Sequence, residues 1–244
     1  LLVARNARVA AVDLSGDRLQ ELKESLPRSQ ADALMTYLLD ITDREAVQSL
    51  PGRVQDNQGD VDAIVNCAGI IQPFVRVKNL DYDAIECVMK TNFYGTLYVT
   101  KTFLPHLFGR PEAHIVNISS MGGFLPIPGQ AIYGASKAAV KLLTEALYAE
   151  LKDTSIRVTV VFPGATRTKI AEHSGARVPR LPSQKEIPVL EPDEAARLIL
   201  DGIENDEIYV YTGKDSKFMN LLSRINSKRA IDAVMKNMGD LLEW

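Results

Sequence analysis

Cysteine is nearly absent from the chain: Cys67 and Cys87 are the only two. A pair of thiols cannot frame a disulfide scaffold. Their settings, Cys67 in an apolar run and Cys87 in a helical stretch, read as buried thiols in a reducing compartment. Histidine is scarce as well, and His106, His114 and His173 stand too far apart to make a cluster with metal-ligand spacing, so no metal is expected. No apolar run approaches the ~20 residues that cross a bilayer and no secretory pattern opens the chain, which points to the cytoplasm. Charge of one sign is lacking too: the formal net charge is −3 with Arg and Lys scattered, which gives no reason to expect a nucleic-acid partner. Linkers, low-complexity tracts and internal repeats are missing, so residues 1–244 read as one domain.

What is present is alternation. Short β-branched runs recur between longer segments of helical period, the signature of βαβ units around a parallel sheet buried on both faces. Val9 to Asp13, Met35 to Asp40, Val61 to Asn66, Ala113 to Ser119, Ile156 to Phe162 and Ile208 to Tyr211 read as strands. Asp17 to Leu26, Tyr82 to Leu107 and Tyr133 to Lys152 read as helices. The layout predicts a doubly wound α/β fold of Rossmann type. In such a sheet the first strand is central, and a glycine-rich turn after it brings backbone N–H groups at a helix N-terminus to a pyrophosphate. No G-x-G-x-x-G-like run occurs, and Leu1 to Ala7 reads as the tail of a helix. A first strand and its turn are therefore expected to be missing from the sequence. The strands Val9 to Val12 and Val61 to Asn66 should then flank a gap of roughly 10 Å instead of pairing.

Tyr133-Gly134-Ala135-Ser136-Lys137 forms a Y-x-x-x-K pair, and a spacing of four puts both side chains on one helix face. With eight tyrosines in the chain such a pair says little alone, and Tyr148 with Lys152 makes a second. Context separates them. Tyr133 begins its helix, follows the loop Met121 to Gln130, and lies thirteen positions after Ser120 at a strand end. Tyr148 lies more than ~20 Å further along the helix, away from the strand ends where ligands bind, so it and Lys152 read as surface residues. The residue types suit carbonyl chemistry. Hydride delivery to a carbonyl carbon leaves charge on oxygen, so a proton donor must stand within ~2.6–3.2 Å of that oxygen. Tyr133 is the candidate donor in reduction and, as phenolate, the base in oxidation. Lys137 is expected to lower its pKa from ~10, and Ser120 to hold the same oxygen.

Several motifs, in order, resemble those of the short-chain dehydrogenase/reductase family over essentially the whole chain. Asn66-Cys67-Ala68-Gly69 resembles its N-N-A-G motif, with Cys67 in the second place. Asn92-Phe93-Tyr94-Gly95 is similar to its N-x-x-G helix motif, Ser120 with Tyr133 and Lys137 to its catalytic set, and Pro163-Gly164 to Thr168 to its P-G-x-x-x-T stretch. The resemblance implies a catalytic group of Asn92, Ser120, Tyr133 and Lys137, with Asn92 binding a water that links Lys137 to solvent. It implies that Lys137 bonds the nicotinamide ribose and that Thr168 holds the carboxamide. Asn66, Ala68, Gly69, Tyr133, Pro163, Gly164 and Thr166 would complete that end of the cofactor site, Thr166 standing where Val or Ile is common. Asp40 and Ile41 resemble the family's adenine contacts. Asp13 ends the strand at which a Rossmann fold presents a carboxylate to the adenosine ribose. There it would accept bonds from the 2′-OH and repel a 2′-phosphate, so NAD is expected over NADP. Capping the next helix is the other reading of Asp13, although Ser15 or Asp17 would serve equally.

The stretch 169–191 has little periodicity and the length of an active-site lid. Its Lys169, His173, Arg177, Arg180 and Lys185 would meet an anionic substrate or simply face water. Met121, Phe124, Leu125 and Ile127 suggest an apolar pocket wall or a piece of core, with Gln130 a polar contact. From Ser216 to Trp244 apolar residues recur at helical period with Arg224, Lys228, Arg229 and Lys236 among them. This segment is expected to pack on the domain or its oligomer, a membrane surface being the other reading. The helices Tyr82 to Leu107 and Tyr133 to Lys152 resemble those through which family members form dimers and tetramers. A homodimer or homotetramer acting on a small, partly apolar alcohol or ketone is expected. The rival from another class is a non-catalytic dinucleotide-binding or scaffold protein, and a dehydratase or epimerase using the same cofactor is a third reading.

Overall fold

The computed structural model describes residues 1–177 and 189–238. β1 (Val9–Asp13) pairs in parallel with β2 (Leu34–Leu38), and β3 (Ala63–Asn66), β4 (Ala113–Ile118), β5 (Ile156–Pro163) and β6 (Tyr209–Thr212) form a second parallel sheet in that order. Parallel neighbours need crossovers, and helices supply them. α1 (Gly16–Glu24) and α2 (Arg44–Gln58) follow β1 and β2, and α3 (Tyr82–Met89) and α4 (Thr96–Leu107) lead from β3 to β4. α5 (Ala131–Leu151) leads to β5, α6 (Ile170–His173) and α7 (Pro192–Glu204) lead to β6, and α8 (Lys214–Ile225) and α9 (Ser227–Met238) follow. This is the α/β Rossmann-type layout that the alternation predicts. Among the described residues no helix is long and apolar enough to cross a membrane.

β1 and β3 do not pair. A cavity of about 180 Å³ separates them, lined by Ala10 and Val12 on one side and by Ala63, Val65 and Asn66 on the other. The two strands thus flank a gap, as expected. The halves are joined by side chains: Tyr37, Val47, Leu50, Phe103, Leu107 and Ile115 are buried in one cluster. Each such side chain stabilises by about 1.5–3 kcal/mol. The gap also corrects one expectation. Cys67 lines the cavity and Cys87 lies on α3, and both are exposed instead of buried.

Element ends shift by a residue or two from the sequence reading. β2 stops at Leu38: Leu39 N–H makes the last ladder bond to the Asp13 carbonyl, and Asp40 then accepts from Thr42 N–H, which bends the chain. The long helix expected over Tyr82 to Leu107 contains a π turn at Lys90–Gly95 between α3 and α4. Such insertions recur at functional sites. At the chain start, Val3–Arg5 forms a single 3-10 turn closed by Asn6 in the left-handed region. The C-terminal segment is two helices. Ala230 and Val234 of α9 pack with Leu125, joined by Met121, Phe124, Met219, Leu222 and Met238. Phe218, Leu221, Ile225, Ile231 and Met235 stay exposed. Arg180, Lys185, Leu241 and Leu242 lie outside the described residues.

Candidate active site

The site begins where β4 ends. Ser120 remains extended, and its Oγ accepts from Gly122 N–H at 3.0 Å, which closes the turn Met121–Gly123. That turn lies so close to α5 that a Cβ on Gly123 would come within 2.9 Å of the Lys137 carbonyl. Ser119 Oγ donates to the same carbonyl oxygen at 2.8 Å. The strand end and the helix are thereby fastened together, and the Tyr133 ring and Ser120 Oγ meet at Gly122, where a Cβ would stand 3.3 and 3.4 Å from them.

Lys137 projects from the same helix face, 4% exposed, and its Nζ donates to the Ile118 carbonyl at 2.9 Å. Burial pulls its pKa down to about 8. Burial moves the Tyr133 phenol the other way, above its ordinary value, and the hydrogen bond with Ser120 offsets only part of this. Lys137 therefore does not outweigh desolvation as the sequence led one to expect. Its bond to Ile118 directs it at the strand end.

Asn92 sits in the π turn, fully buried. Its Oδ1 accepts from Ile70 N–H at 2.8 Å, and its Nδ2 donates to the Ile70 carbonyl and to Ser136 Oγ, both at 2.9 Å. Ser136 Oγ in turn donates to the Tyr133 carbonyl at 2.7 Å. The side chain is thus a stitch between the loop after β3 and α5. Gly69 lies against it: a Cβ there would stand 3.1 Å from Lys137 Nζ and 3.4 Å from Asn92 Oδ1, so any larger residue would press on the lysine. Asn66 Nδ2 donates to Thr100 Oγ1 at 3.0 Å and Asn117 Oδ1 at 2.8 Å, which ties β3 to α4 and β4. Ala68 is exposed.

At the other end, Asp13 closes β1, and its Oδ1 accepts from Ser15 N–H at 2.8 Å and from Arg18 Nη2 at 2.6 Å. Ser15, not Asp13, caps α1. Asp40 and Ile41 stand in the bend after β2, and Ile41 packs on the π turn so tightly that a Cβ on Gly95 would fall 2.5 Å from it. After β5 the loop is held from below. Gly164 N–H donates to the Thr212 carbonyl at 2.9 Å and Ala165 N–H to Asp215 Oδ2 at 3.1 Å. The Asp215 carboxylate fills the space that a Cβ on Gly164 or Gly213 would take, 2.5 and 2.4 Å away. Thr166 bridges Leu190 through its neighbours' bonds, which turns its own N–H and C=O to the opposite side. Thr168 is exposed.

A profile of the short chain dehydrogenase family matches residues 1–178. The chain belongs to the short-chain dehydrogenase/reductase family. It is 30% identical to SadH of Mycobacterium tuberculosis over all of this chain and 90% of that protein. It is 34% identical to the 3-oxoacyl-[acyl-carrier-protein] reductase FabG of Thermotoga maritima over 86% of this chain and 85% of that one. A short-chain dehydrogenase from Sphingobium yanoikuyae in complex with NADPH superposes with TM-score 0.76 at 25% identity, over 94% of this chain and 88% of that one. A short chain dehydrogenase/reductase from Burkholderia phymatum in complex with NAD shares the fold with TM-score 0.80 at 23% identity, over 91% and 85% of the two chains.

In this member of the family, Ser120, Tyr133 and Lys137 come together with Asn92 and Gly69, while Tyr148 is a surface residue, 42% exposed. Gln130 departs from its expected place as a substrate contact: it is buried and its Nε2 donates to the Gln72 carbonyl. Leu125 belongs to the core under α9, with Met121 and Phe124 beside it. Three residues escaped the sequence reading: Arg18, Asp215 and Gln72. Asp215 carried a faint signal as an acidic residue in the first turn of a helix that follows glycine. Gln72 carried none, because its partners are about sixty positions away.

Proposed function

We propose that this chain interconverts an alcohol and a ketone or aldehyde with NAD as the hydride carrier. Tyr133 moves the proton, Ser120 holds the substrate oxygen, and Lys137 and Asn92 complete the catalytic group. The observation that carries this reading is the convergence of the Tyr133 ring and Ser120 Oγ on Gly122, where a Cβ would stand 3.3 and 3.4 Å from them, beside a buried Lys137. Ser120 Oγ takes the Gly122 N–H on a lone pair, which leaves its own proton for the Tyr133 oxygen or for a substrate oxygen set between the two. The raised phenol keeps its proton at neutral pH and is ready as an acid in reduction. In oxidation it must first lose that proton.

The residues fit a nicotinamide dinucleotide at two ends. The close approach allowed by Gly69 and the outward face of Thr166 suit a bound nicotinamide, with Tyr133, Lys137, Asn66, Ala68, Pro163, Gly164 and Thr168 around it. Asp13, Asp40 and Ile41 would take the adenosine. The glycine-rich turn for the pyrophosphate is not among these residues. A bound nicotinamide supplies or takes the hydride at the carbonyl carbon. Asp13 supports NAD. One observation favours NADP as a second reading: the Arg18 guanidinium sits 2.6 Å from the same carboxylate, where it would meet a 2′-phosphate. The stretch 169–191 is read as the substrate loop of one domain, and Ser174 Oγ, accepting from Ile71 N–H at 3.0 Å, ties it to the site. A homodimer or homotetramer through α3, α4 and α5 belongs to the same proposal, supported by exposed Tyr82 on α3 and exposed Leu142 and Tyr148 on α5.

Absorbance of the reduced cofactor, followed with a panel of ketones and alcohols, tests the reading. Turnover that disappears in Tyr133→Phe supports it. Turnover unchanged in that variant ends it, and dinucleotide binding without any turnover favours the scaffold alternative.

A further inference from the structure

Gln72 is fully buried at the start of α5. Its Oε1 accepts from Ile132 N–H at 2.7 Å and from Tyr133 N–H at 3.1 Å, while its Nε2 donates to the Gly129 carbonyl at 2.9 Å. Only one orientation of the amide makes all three bonds, since the reverse would set oxygen against the Gly129 carbonyl and NH₂ against two N–H groups. The first N–H groups of a helix have no partner within it. Gln130, in the N-cap position, makes no side-chain capping bond there. A residue from another segment supplies the cap instead.

Gln72 is itself held. Gln130 Nε2 donates to its main-chain carbonyl at 2.8 Å, and Asn92 holds Ile70 through both its N–H and its carbonyl. Asn92 reaches α5 one turn later, at Ser136. The segment 70–72 is therefore bonded to the first turn of α5 by Gln72 and to the second by Asn92.

We propose that Gln72 is a positioning residue for Tyr133: by taking the Ile132 and Tyr133 N–H groups it fixes where α5 begins and so where the phenol stands over Ser120. The inference rests on reading Tyr133 as the proton-transferring group. A helix start that slips by one residue moves its side chains by about 1.5 Å along the axis and about 100° around it. That is enough to carry a donor out of the ~2.6–3.2 Å reach that proton transfer needs. A misplacement of about 1 Å is worth on the order of 100-fold in rate.

The test compares two full-length variants with the wild type. Gln72→Met keeps the volume and removes the acceptor; Gln72→Glu keeps the acceptor and, held protonated by burial, still offers an O–H to the Gly129 carbonyl. Three quantities are read: kcat, the KM for the dinucleotide, and amide hydrogen exchange at Ile132 and Tyr133. In Gln72→Met, kcat should fall about 10- to 100-fold with cofactor KM changed by no more than about twofold. Exchange at Ile132 and Tyr133 should speed up while the β4 and β5 amides stay protected. Gln72→Glu should recover protection at both amides and regain part of kcat. A Gln72→Met enzyme with wild-type kcat and intact protection overturns the proposal. So does loss of kcat and KM together, with exchange raised throughout the sheet, or a Gln72→Glu enzyme no better than Gln72→Met. If Gln72→Met does not fold, Gln72→Glu decides through the same two amides. The two readings fail separately: a fully active Tyr133→Phe removes the role of the tyrosine, whereas an inactive Tyr133→Phe beside a fully active Gln72→Met removes only that of the glutamine.

Discussion

Lys137 stands one turn beyond Tyr133 on α5, yet its Nζ donates to the Ile118 carbonyl 2.9 Å away at the end of β4. An ammonium so placed is a fastening between helix and strand as much as a source of positive field. Its burial has a cost that depends on pH. The pKa is drawn from 10.5 to about 8 in the folded chain, so between these values the unfolded chain binds the extra proton. Stability from this group is then fully present above the unfolded value and lost as pH falls through the folded one. Relative to Lys137→Met, the wild type should gain about 3 kcal/mol of unfolding free energy between pH 8 and pH 10.5, read from urea midpoints at each pH. A flat difference would show that Lys137 is solvated.

The raised phenol predicts a direction for catalysis. Oxidation needs the phenolate, so its rate should climb as pH rises through and beyond neutrality, while reduction stays level near neutrality. Tyr133→Phe should lower kcat by about 100-fold or more in both directions. Tyr148→Phe with Lys152→Ala, the second pair of the same spacing, should leave kcat unaltered, because Tyr148 is exposed far along α5.

Asp215 holds the loop after β5. Asp215→Ala strips the acceptor from Ala165 N–H, and Asp215→Asn keeps an acceptor but brings an NH₂ toward Gly164 and Gly213. The alanine variant should lose about 1–3 kcal/mol of stability if that N–H is left dry, and raise the cofactor KM more than it lowers kcat. Calorimetry together with steady-state kinetics measures both effects.

Cofactor choice should follow the pair at the end of β1. Arg18→Ala frees the Asp13 carboxylate and should raise the preference for NADH over NADPH, whereas Asp13→Ala should shift it toward NADPH. The ratio of kcat/KM for the two cofactors reads this directly. A ratio that moves in neither variant would put the adenosine end elsewhere.

The strand-and-helix alternation was legible because β-branched runs and helical periods are local signals, and each of the six strands falls on such a run. The Ser120, Tyr133 and Lys137 group was legible through position as well, since a serine at a strand end and a tyrosine at a helix start converge in a parallel sheet. The π turn left no mark, because Lys90 to Gly95 keeps helical composition while its register slips by one residue. Arg18, Asp215 and Gln72 act by geometry across sequence distance, and nothing in their immediate neighbours announces it.

The cluster under the sheet has a mechanical meaning. Tyr37, Val47, Leu50, Phe103, Leu107 and Ile115 clamp the strands that carry Asp13 and Asp40 to β4, the strand that leads to Ser120. A dinucleotide reaching from Asp13 to Thr166 would draw on the rigidity of that clamp. Its binding would then register as slower hydrogen exchange in β1 and β2.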